Sequence, residues 1–590
     1  MADTNEEREI DEDWREEKAL RLKEGNFLFG LARKEKIKRS GKKPLVQVRF
    51  YWKRVFLFVS IAGLVAWMAT AATLYFYFKN YRDYEEASFF KMLILPFTLE
   101  EHRREMGEFF IEKGMAEIEA GDVRSGFHHL RIGLARSPAN AEARLTVAKI
   151  FWTGFKVPRL AIQTMTEGLR FSDQQPGFME LDYLGLLFQI LVEEEKDRQR
   201  IEIVEQVLED APSSTIRGFL QLQAASAEVE LGEFQEAFNR LKNSSLDKTP
   251  QGKMLIARGL INSGRSRMAV VVLESAVEQF PQIPQLTDAF YTLLIEEERW
   301  DVILSQMRFR RFTQTDNLLS YIAELHALGA LGKEVEIVER VEELLRKFPT
   351  REAQSKVLGY AVKTRQSEVA DLILNQIQEE DEPETGLILS CAFAFVVDDR
   401  ADEGLALMDS IPEKEDPVLA GRIAILRGLA YEILGQSELA LPLYRRFLEG
   451  PPDVASFYLL MEGIFSSLDM DIMAEKILRK AVKVYPENRM ILTKIIPYEK
   501  DQPMVNSYME HATALMEERL PTFEVMEEIR GVVVRDRFLF HPGQTALVEK
   551  IEDVLAQDKF LDSAIAVPSR ASIDWESLDN KPQREFMRLQ

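Results

Sequence analysis

Small side chains, glycines and prolines recur along this sequence at a period of nearly 35 residues, and this repetition restricts its fold more than any other feature. In a unit counted from residue 250, offsets 8, 15, 20, 27 and 32 are occupied by Ala257, Gly264, Ala269, Ala276 and Pro281. In a unit counted from residue 107, the same offsets hold Gly114, Gly121, Gly126, Gly133 and Pro138. About eleven such units fit between residues 107 and 488, which predicts a repeat array.

Each recurring residue type has a physical role in a pair of antiparallel helices. Small side chains at offsets 8, 20 and 27 let two helices cross closely. Glycine at offset 15 adopts a left-handed turn conformation at little cost, and proline at offset 32 ends the second helix. Because one helix pair cannot bury its apolar face alone, successive pairs are expected to stack into a superhelix.

This pattern resembles the tetratricopeptide repeat. The resemblance implies an all-α fold, a right-handed superhelical solenoid of about eleven helix-turn-helix repeats over residues 107–490. Some units depart from the pattern: those near residues 141, 284 and 351 lack several signature positions, and the unit from residue 455 has Asp469 at its turn. A one-residue insertion stands near Trp152–Pro158. These departures predict local irregularity of the superhelix.

The resemblance also implies a partner-binding groove, because members of this family grip peptides or helices of other proteins on the concave face built from their first helices. The candidate groove residues are Ile111, Met115, Gln251, Met254, Arg258, Asn262, Ile425, Leu429 and Glu432. Packing between neighbouring first helices is the alternative role for each of them. The Lys/Asn/Arg carboxylate clamp of chaperone-binding members is not spelled out in consecutive units, which disfavours a chaperone C-terminus as the ligand.

An uncharged apolar run precedes the repeats, from Val55 to Phe78. As a helix, its 24 residues would be about 36 Å long, enough to cross a hydrocarbon core of roughly 30 Å. Aromatic residues mark both ends of the run, as in interfacial belts. The run is therefore predicted to be a single transmembrane helix, so that the chain contacts a membrane through Val55–Phe78. A cleaved signal peptide and a buried soluble helix are the alternatives.

The charges that flank this run predict its orientation. Residues 33–54 hold ten basic side chains and one acidic side chain, whereas residues 79–91 hold three of each. The positive-inside rule therefore predicts a cytoplasmic N-terminus and a non-cytoplasmic C-terminal domain, which would be periplasmic in a bacterium.

These features predict the domain organisation of the chain. Residues 1–54 form an acidic and basic cytoplasmic segment expected to be largely disordered, residues 55–78 cross the membrane, and residues 79–106 connect the membrane helix to the solenoid at 107–490. A helical cap follows at 491–565, and an extended or disordered tail at 566–590.

The sequence carries no motif for a cofactor, a metal ion or catalysis. Its single cysteine, Cys391, rules out frameworks of several cysteines, and its six histidines lack metal-binding spacing. No phosphate-binding loop, dinucleotide fingerprint or nucleophile elbow occurs. The net charge of the chain is −22: residues 1–54 carry +4, and residues 55–590 carry −26. This acidic surplus argues against nucleic acid as the main ligand.

Together these observations predict a membrane-anchored, non-enzymatic scaffold that binds other proteins or peptides through its solenoid. Assembly of a cell-envelope or secretion complex is the expected setting, and homo-oligomerisation is left open. The alternative is an envelope enzyme, or a subunit of one, with an unrecognised active site in residues 490–590.

Overall fold

The computed structural model describes residues 25–27, 31–39, 42–81, 84, 87–313, 317–378, 384–411, 416–502, 505–517 and 519–556. The chain divides into two compact units, with the boundary between Phe178 and Met179. The tail at 566–590 and the first 24 residues, for both of which disorder is expected, lie outside the described residues.

The first unit begins with a small antiparallel sheet. Strands β1 (Gly25–Phe27), β2 (Ala32–Arg39) and β3 (Lys42–Phe50) form a meander in the order β1-β2-β3. In the described residues between 25 and 50, this sheet differs from the disorder expected for the N-terminal segment and from a purely all-α fold. The residues from Val46 to Phe50 alternate between apolar and polar types, a two-residue period typical of strands. The many charged residues of the segment led to the expectation of disorder.

Helix α1 (Trp52–Asn80) is long and apolar enough to cross a membrane, and no other helix among the described residues is. It begins three residues before the predicted span and ends two residues after it. The short helix α2 (Phe89–Ile94) and a 3₁₀ turn (Leu95–Phe97) follow. The predicted connector is therefore partly helical.

The rest of the first unit consists of helix pairs. Helices α3 (Leu99–Glu119) and α4 (Val123–Arg136) form the first pair, and α5 (Ala141–Lys149) and α6 (Pro158–Leu169) the second. A π-helical turn at Ile150–Gly154 lies in the second pair and accommodates the extra residue noted near Trp152.

The first pair crosses as closely as its glycines predict. A Cβ atom added to Gly114 would lie 2.8 Å from the Gly126 carbonyl oxygen, and one added to Gly133 would lie 2.8 Å from that of Gly107. Any side chain at these positions would force the backbones apart, so the small residues at offsets 8, 20 and 27 serve the predicted purpose.

The second unit is helical throughout its described residues. Its helices are α7 (Leu181–Glu193), α8 (Asp197–Val207), α9 (Ser214–Glu230), α10 (Phe234–Asn243), α11 (Pro250–Asn262), α12 (Ser266–Gln279), α13 (Pro284–Glu296), α14 (Trp300–Thr313), α15 (Leu318–Ala330), α16 (Glu334–Lys347), α17 (Arg351–Thr364), α18 (Ser367–Gln378), α19 (Thr385–Val397), α20 (Ala401–Asp409), α21 (Pro417–Ile433), α22 (Ser437–Glu449), α23 (Ala455–Ser467), α24 (Asp471–Val484), α25 (Arg489–Glu499), α26 (Val505–Glu517), α27 (Phe523–Val533) and α28 (Gln544–Ala556).

Among the described residues, the turns inside eleven successive helix pairs, from α3–α4 to α23–α24, each have a left-handed residue, and these residues mark the repeat register. They are Gly121, Lys156, Glu195, Gly232, Gly264, Glu298, Gly332, Arg365, Asp399, Gly435 and Asp469. The eleven turns, spaced 32 to 39 residues apart, agree with the predicted number of repeats. The irregular units have the same left-handed turn with a residue other than glycine. The missing glycine is one reason why their sequences match the repeat pattern weakly.

Candidate partner-binding surface

The candidate groove residues lie on three first helices, α3, α11 and α21, as the repeat register predicts. Their exposure divides them into two groups. Ile111 has 5% of its surface exposed, and Ile425 and Leu429 have none. These three side chains pack in the apolar core between neighbouring helices. They have the alternative role that the sequence analysis left open, and they are not accessible to a partner.

The remaining candidates reach the surface. Gln251 and Arg258 are exposed, whereas Met115, Met254, Asn262 and Glu432 are half-buried. The Arg258 guanidinium lies 2.7 Å from a carboxylate oxygen of Glu230. Glu432 accepts a hydrogen bond of 2.7 Å from the Ser437 hydroxyl. Gln251 on α11 is therefore the candidate whose side chain is most accessible to a partner.

A second feature of the same unit was not predicted from the sequence. Helices α25 to α28, at the C-terminal end of the described chain, pack against α9 and α10 near the beginning of the unit. Arg519, in the connection between α26 and α27, extends the contact to α7 and α8 through hydrogen bonds. We call the polar part of this contact the clasp and define it by Asp197, Glu230, Arg489, Arg519 and Leu520. The clasp joins residues more than 280 positions apart in sequence.

Arg519 is the centre of the clasp. Its Nε donates to Asp197 over 2.8 Å, and its Nη2 donates to the Val192 carbonyl oxygen over 2.7 Å. Arg489 supports it by donating to the carbonyl oxygens of Leu515 and Arg519, both over 2.5 Å. The next backbone amide, that of Leu520, donates to the Glu230 carbonyl oxygen over 2.9 Å.

The carboxylates of the clasp, Asp197 and Glu230, are buried, and the half-buried Arg519 pairs with them. Asp197 has 1% of its surface exposed and also accepts a hydrogen bond of 2.5 Å from the buried Arg200. Burial alone would lower the pKa of Arg519, but the hydrogen bond and charge of Asp197, with the charges of Glu230 and Glu195, hold it above its usual value. For Arg200, burial outweighs Asp197 and lowers the pKa. Each of these groups needs its partner, because an unpaired buried charge is strongly destabilising.

An apolar core lies beside the clasp. Phe234 and Phe238 on α10 share it with Tyr508, Phe523 and other residues of the C-terminal helices. The rings of Phe234 and Phe523 are 5.6 Å apart between centroids. The predicted C-terminal cap thus covers the beginning of the second unit as well as its end.

The most active-site-like cluster of the C-terminal segment is centred on Glu499. This buried carboxylate accepts from the Ser507 hydroxyl over 2.7 Å and lies 2.9 Å from Nδ1 of His511. Burial alone would raise the pKa of Glu499, but the hydrogen bonds from His511 and Ser507 hold it below its usual value. In a catalytic triad the histidine bridges the hydroxyl and the carboxylate. Here the carboxylate is the bridge, so this geometry does not activate Ser507 as a nucleophile.

Metal-binding groupings of three or more His, Cys, Asp or Glu side chains do not occur within the described part of the chain. Of the two adjacent histidines on α4, His129 has a carboxylate partner: its Nδ1 lies 2.6 Å from a Glu117 carboxylate oxygen on the paired helix.

No protein-family model matches this sequence, and no curated protein matches it. Among solved structures, the chain is similar to the Cut9–Hcn1 hetero-tetramer of APC/C, with 13% identity over 72% of this chain and 88% of that one, at a TM-score of 0.26. It is similar to PilF of Pseudomonas aeruginosa, with 15% identity over 43% of this chain and 96% of that one, at a TM-score of 0.22.

A third similar structure is the pentatricopeptide repeat protein PPR10 in complex with an 18-nucleotide psaJ RNA element. It shows 13% identity over 77% of this chain and 69% of that one, at a TM-score of 0.39. All three TM-scores are low, so the helical-repeat architecture of this chain rests on its own helix pairs and turns.

Proposed function

We propose that this protein is a membrane-anchored scaffold that holds partner proteins on its helical repeats. The observation that carries the proposal is helix α1, whose 29 apolar-rich residues include only one buried side chain, Ala71. A soluble protein rarely leaves such a helix uncovered, because its exposed surface is apolar along its whole length. The scaffold role follows from the repeats, which present a long, continuous surface to solvent.

Protein is favoured over nucleic acid as the partner because of charge. Residues 55–590 carry a net charge of −26, and phosphate neutralisation requires a surplus of Lys and Arg. PPR10 was solved with RNA, so RNA capture is an outcome that the experiment below has to distinguish. The assembly that we propose the scaffold serves is one of the cell envelope or of secretion, and self-association is a further partner class to measure.

The side of the membrane is testable with reporter fusions. We propose a cytoplasmic N-terminus, because ten of the eleven charged residues in 33–54 are basic. A reporter that is active only outside the cytoplasm should be active when fused after residue 100. Activity of a cytoplasm-only reporter at the same position would contradict this topology.

The scaffold role is testable by photo-crosslinking in intact membranes. A photoreactive side chain at exposed Gln251, on the first helix of its repeat, should form discrete adducts with one or a few proteins. The matched control is exposed Glu278, on the second helix of the same repeat, where the same adducts should be absent. Equal adducts at both positions would contradict a partner surface on the first helices. Adducts with RNA would show that the partner is a nucleic acid and not a protein.

A further inference from the structure

Helix α1 is covered by protein only near its C-terminal end. Side chains from Trp52 to Thr70 are exposed around almost the whole helix. Beyond that point Ala71 is buried, and Leu74, Tyr75 and Phe78 are half-buried against Tyr84, Met92, Met106 and Phe110. The chain therefore turns back after α1 and packs along its last two turns.

The chain that follows α1 contacts this helix well before its C-terminal end. The indole Nε1 of Trp67 donates a hydrogen bond of 3.0 Å to the Leu93 carbonyl oxygen, at the end of α2. Trp67 lies 13 residues before Asn80, which corresponds to about 20 Å along the helix. A hydrocarbon core of roughly 30 Å that begins near Trp52 would end near Ala71, so Leu93 lies at the depth of the membrane boundary or deeper.

We infer that residues 89–99, which we call the returning segment, are embedded in the lipid bilayer beside α1 on the side where the chain leaves the membrane. This inference rests on the proposed membrane anchoring. Within the returning segment, Met92 is 2% exposed and packs on the protein, whereas large apolar side chains reach the surface: Phe90 is 68% exposed, Phe97 86% and Leu99 62%. The hydrogen bond from Trp67 to Leu93 places the segment beside α1, whose own surface is uncovered, so we infer that the same lipid contacts both.

The charge distribution of the returning segment fits a lipid environment. Lys91 is its only charged residue. The Lys91 ammonium is directed away to Glu105 on α3, with distances of 3.1 and 3.0 Å to the two carboxylate oxygens. A lysine at a membrane boundary characteristically extends in this way, with its aliphatic stem along the apolar surface and its charge at the polar edge.

Several backbone groups in and beside the returning segment are paired within the protein. The Ser88 carbonyl oxygen accepts from the Met92 amide, and the Leu93 carbonyl oxygen accepts from Trp67. The Ile94 carbonyl oxygen accepts from the Thr98 hydroxyl over 3.3 Å, and the Leu95 carbonyl oxygen accepts from the Thr98 amide over 3.1 Å. Pro96 has no amide hydrogen to satisfy. Irregular backbone at membrane depth requires this kind of internal pairing.

The inference is testable with single-cysteine variants of the full chain reconstituted in phosphatidylcholine vesicles. Cys391, the only native cysteine, is first replaced by alanine. Phe90→Cys or Phe97→Cys is then labelled with an environment-sensitive fluorophore, and quenching by nitroxide-labelled phospholipids is measured. Both positions are exposed, so neither change removes core packing. Quenching of at least twofold is expected at both, strongest with nitroxides placed near the headgroups.

Two further labels separate the possible failures. Val59→Cys, on the exposed part of α1, reports membrane anchoring, and Phe540→Cys, at a 93% exposed position of the second unit, is the unquenched reference. One outcome would overturn only the embedded returning segment: the label at position 59 is quenched, but the labels at positions 90 and 97 are quenched no more than the reference label at position 540. The membrane anchor would then still stand. Absence of quenching at 59 would overturn the proposed anchor and this inference with it.

Discussion

At the scale of single residues, burial changes chemistry that the sequence alone leaves ordinary. His326 on α15 packs edge-on against the Tyr360 ring, with the ring centroids 4.9 Å apart. Burial, with a smaller contribution from the charge of Lys363, lowers the pKa of His326 to about 4. The histidine is therefore neutral in the folded protein at pH values where the unfolded chain begins to protonate it.

We predict that His326 makes the folded protein less stable as the pH falls. The unfolded pKa is about 6.5. The stability contribution of His326 is fully present above that value and is lost as pH falls toward 4, by up to about 3 kcal/mol. Urea unfolding of the full chain in detergent at pH 7.5 and pH 4.5 measures this loss. His326→Phe should show a smaller difference between the two pH values than wild type, and an equal difference would contradict the prediction.

At the scale of paired helices, the small residues at the crossing determine how closely two helices approach. Ala269 and Ala276 on α12 are fully buried, and Ala257 on α11 is 2% exposed. Gly264, between the two helices, has a φ of +70°, the left-handed value expected at offset 15. This pair thus has the geometry that its residue pattern predicts, and it offers a direct test of the repeat register.

Ala269→Phe should overpack the crossing of α11 and α12, because a large side chain must separate two backbones that the small residues hold together. We expect a loss of about 1–3 kcal/mol in the free energy of unfolding, measured in urea. Exposed Glu278→Gln on the same helix should change it by less than about 0.5 kcal/mol. Proteolysis should open residues 250–285 first, since each repeat stacks only on its neighbours. Equal stability of Ala269→Phe and wild type would show that the register is wrong.

At the scale of the whole second unit, curvature brings distant repeats together. Arg365 donates 2.7 Å to the Ser467 carbonyl oxygen, so turns three repeats apart are in contact. The clasp is the larger consequence of the same curvature, because it joins the first and last helices of the unit. The last helices of a repeat array normally contact only their neighbours, whereas here they also cover an apolar surface at the beginning of the second unit.

Breaking the clasp should destabilise this unit as a whole. Arg519→Leu removes the positive charge beside the buried carboxylates of Asp197 and Glu230, together with the guanidinium hydrogen bond to the Val192 carbonyl oxygen. We expect a loss of about 2–4 kcal/mol in the free energy of unfolding. The matched control is Arg535→Leu, which breaks the exposed pair with Asp501 and should cost less than about 1 kcal/mol. Similar urea midpoints for the two variants would mean that the clasp does not hold the unit together.

The sequence by itself determined the features that depend on neighbouring residues. The period, the helix pairs and the left-handed turns follow from the spacing of small residues, glycines and prolines. Second helices end just before Pro138 and Pro281, as predicted, and α24 likewise ends just before Pro486. The apolar helix follows from a run of uncharged residues. These signals are local, since each lies within one or two turns of helix or one repeat.

Only the tertiary structure decided which surfaces meet. It buried Ile425 and Leu429, which the repeat offsets placed in a groove, because neighbouring helices cover both. It also brought Arg519 to Asp197, 322 residues earlier in the sequence. The rotation from one repeat to the next is small, and its sum over many repeats determines whether the ends of an array touch. No single repeat encodes that sum, so the clasp is visible only in the folded chain.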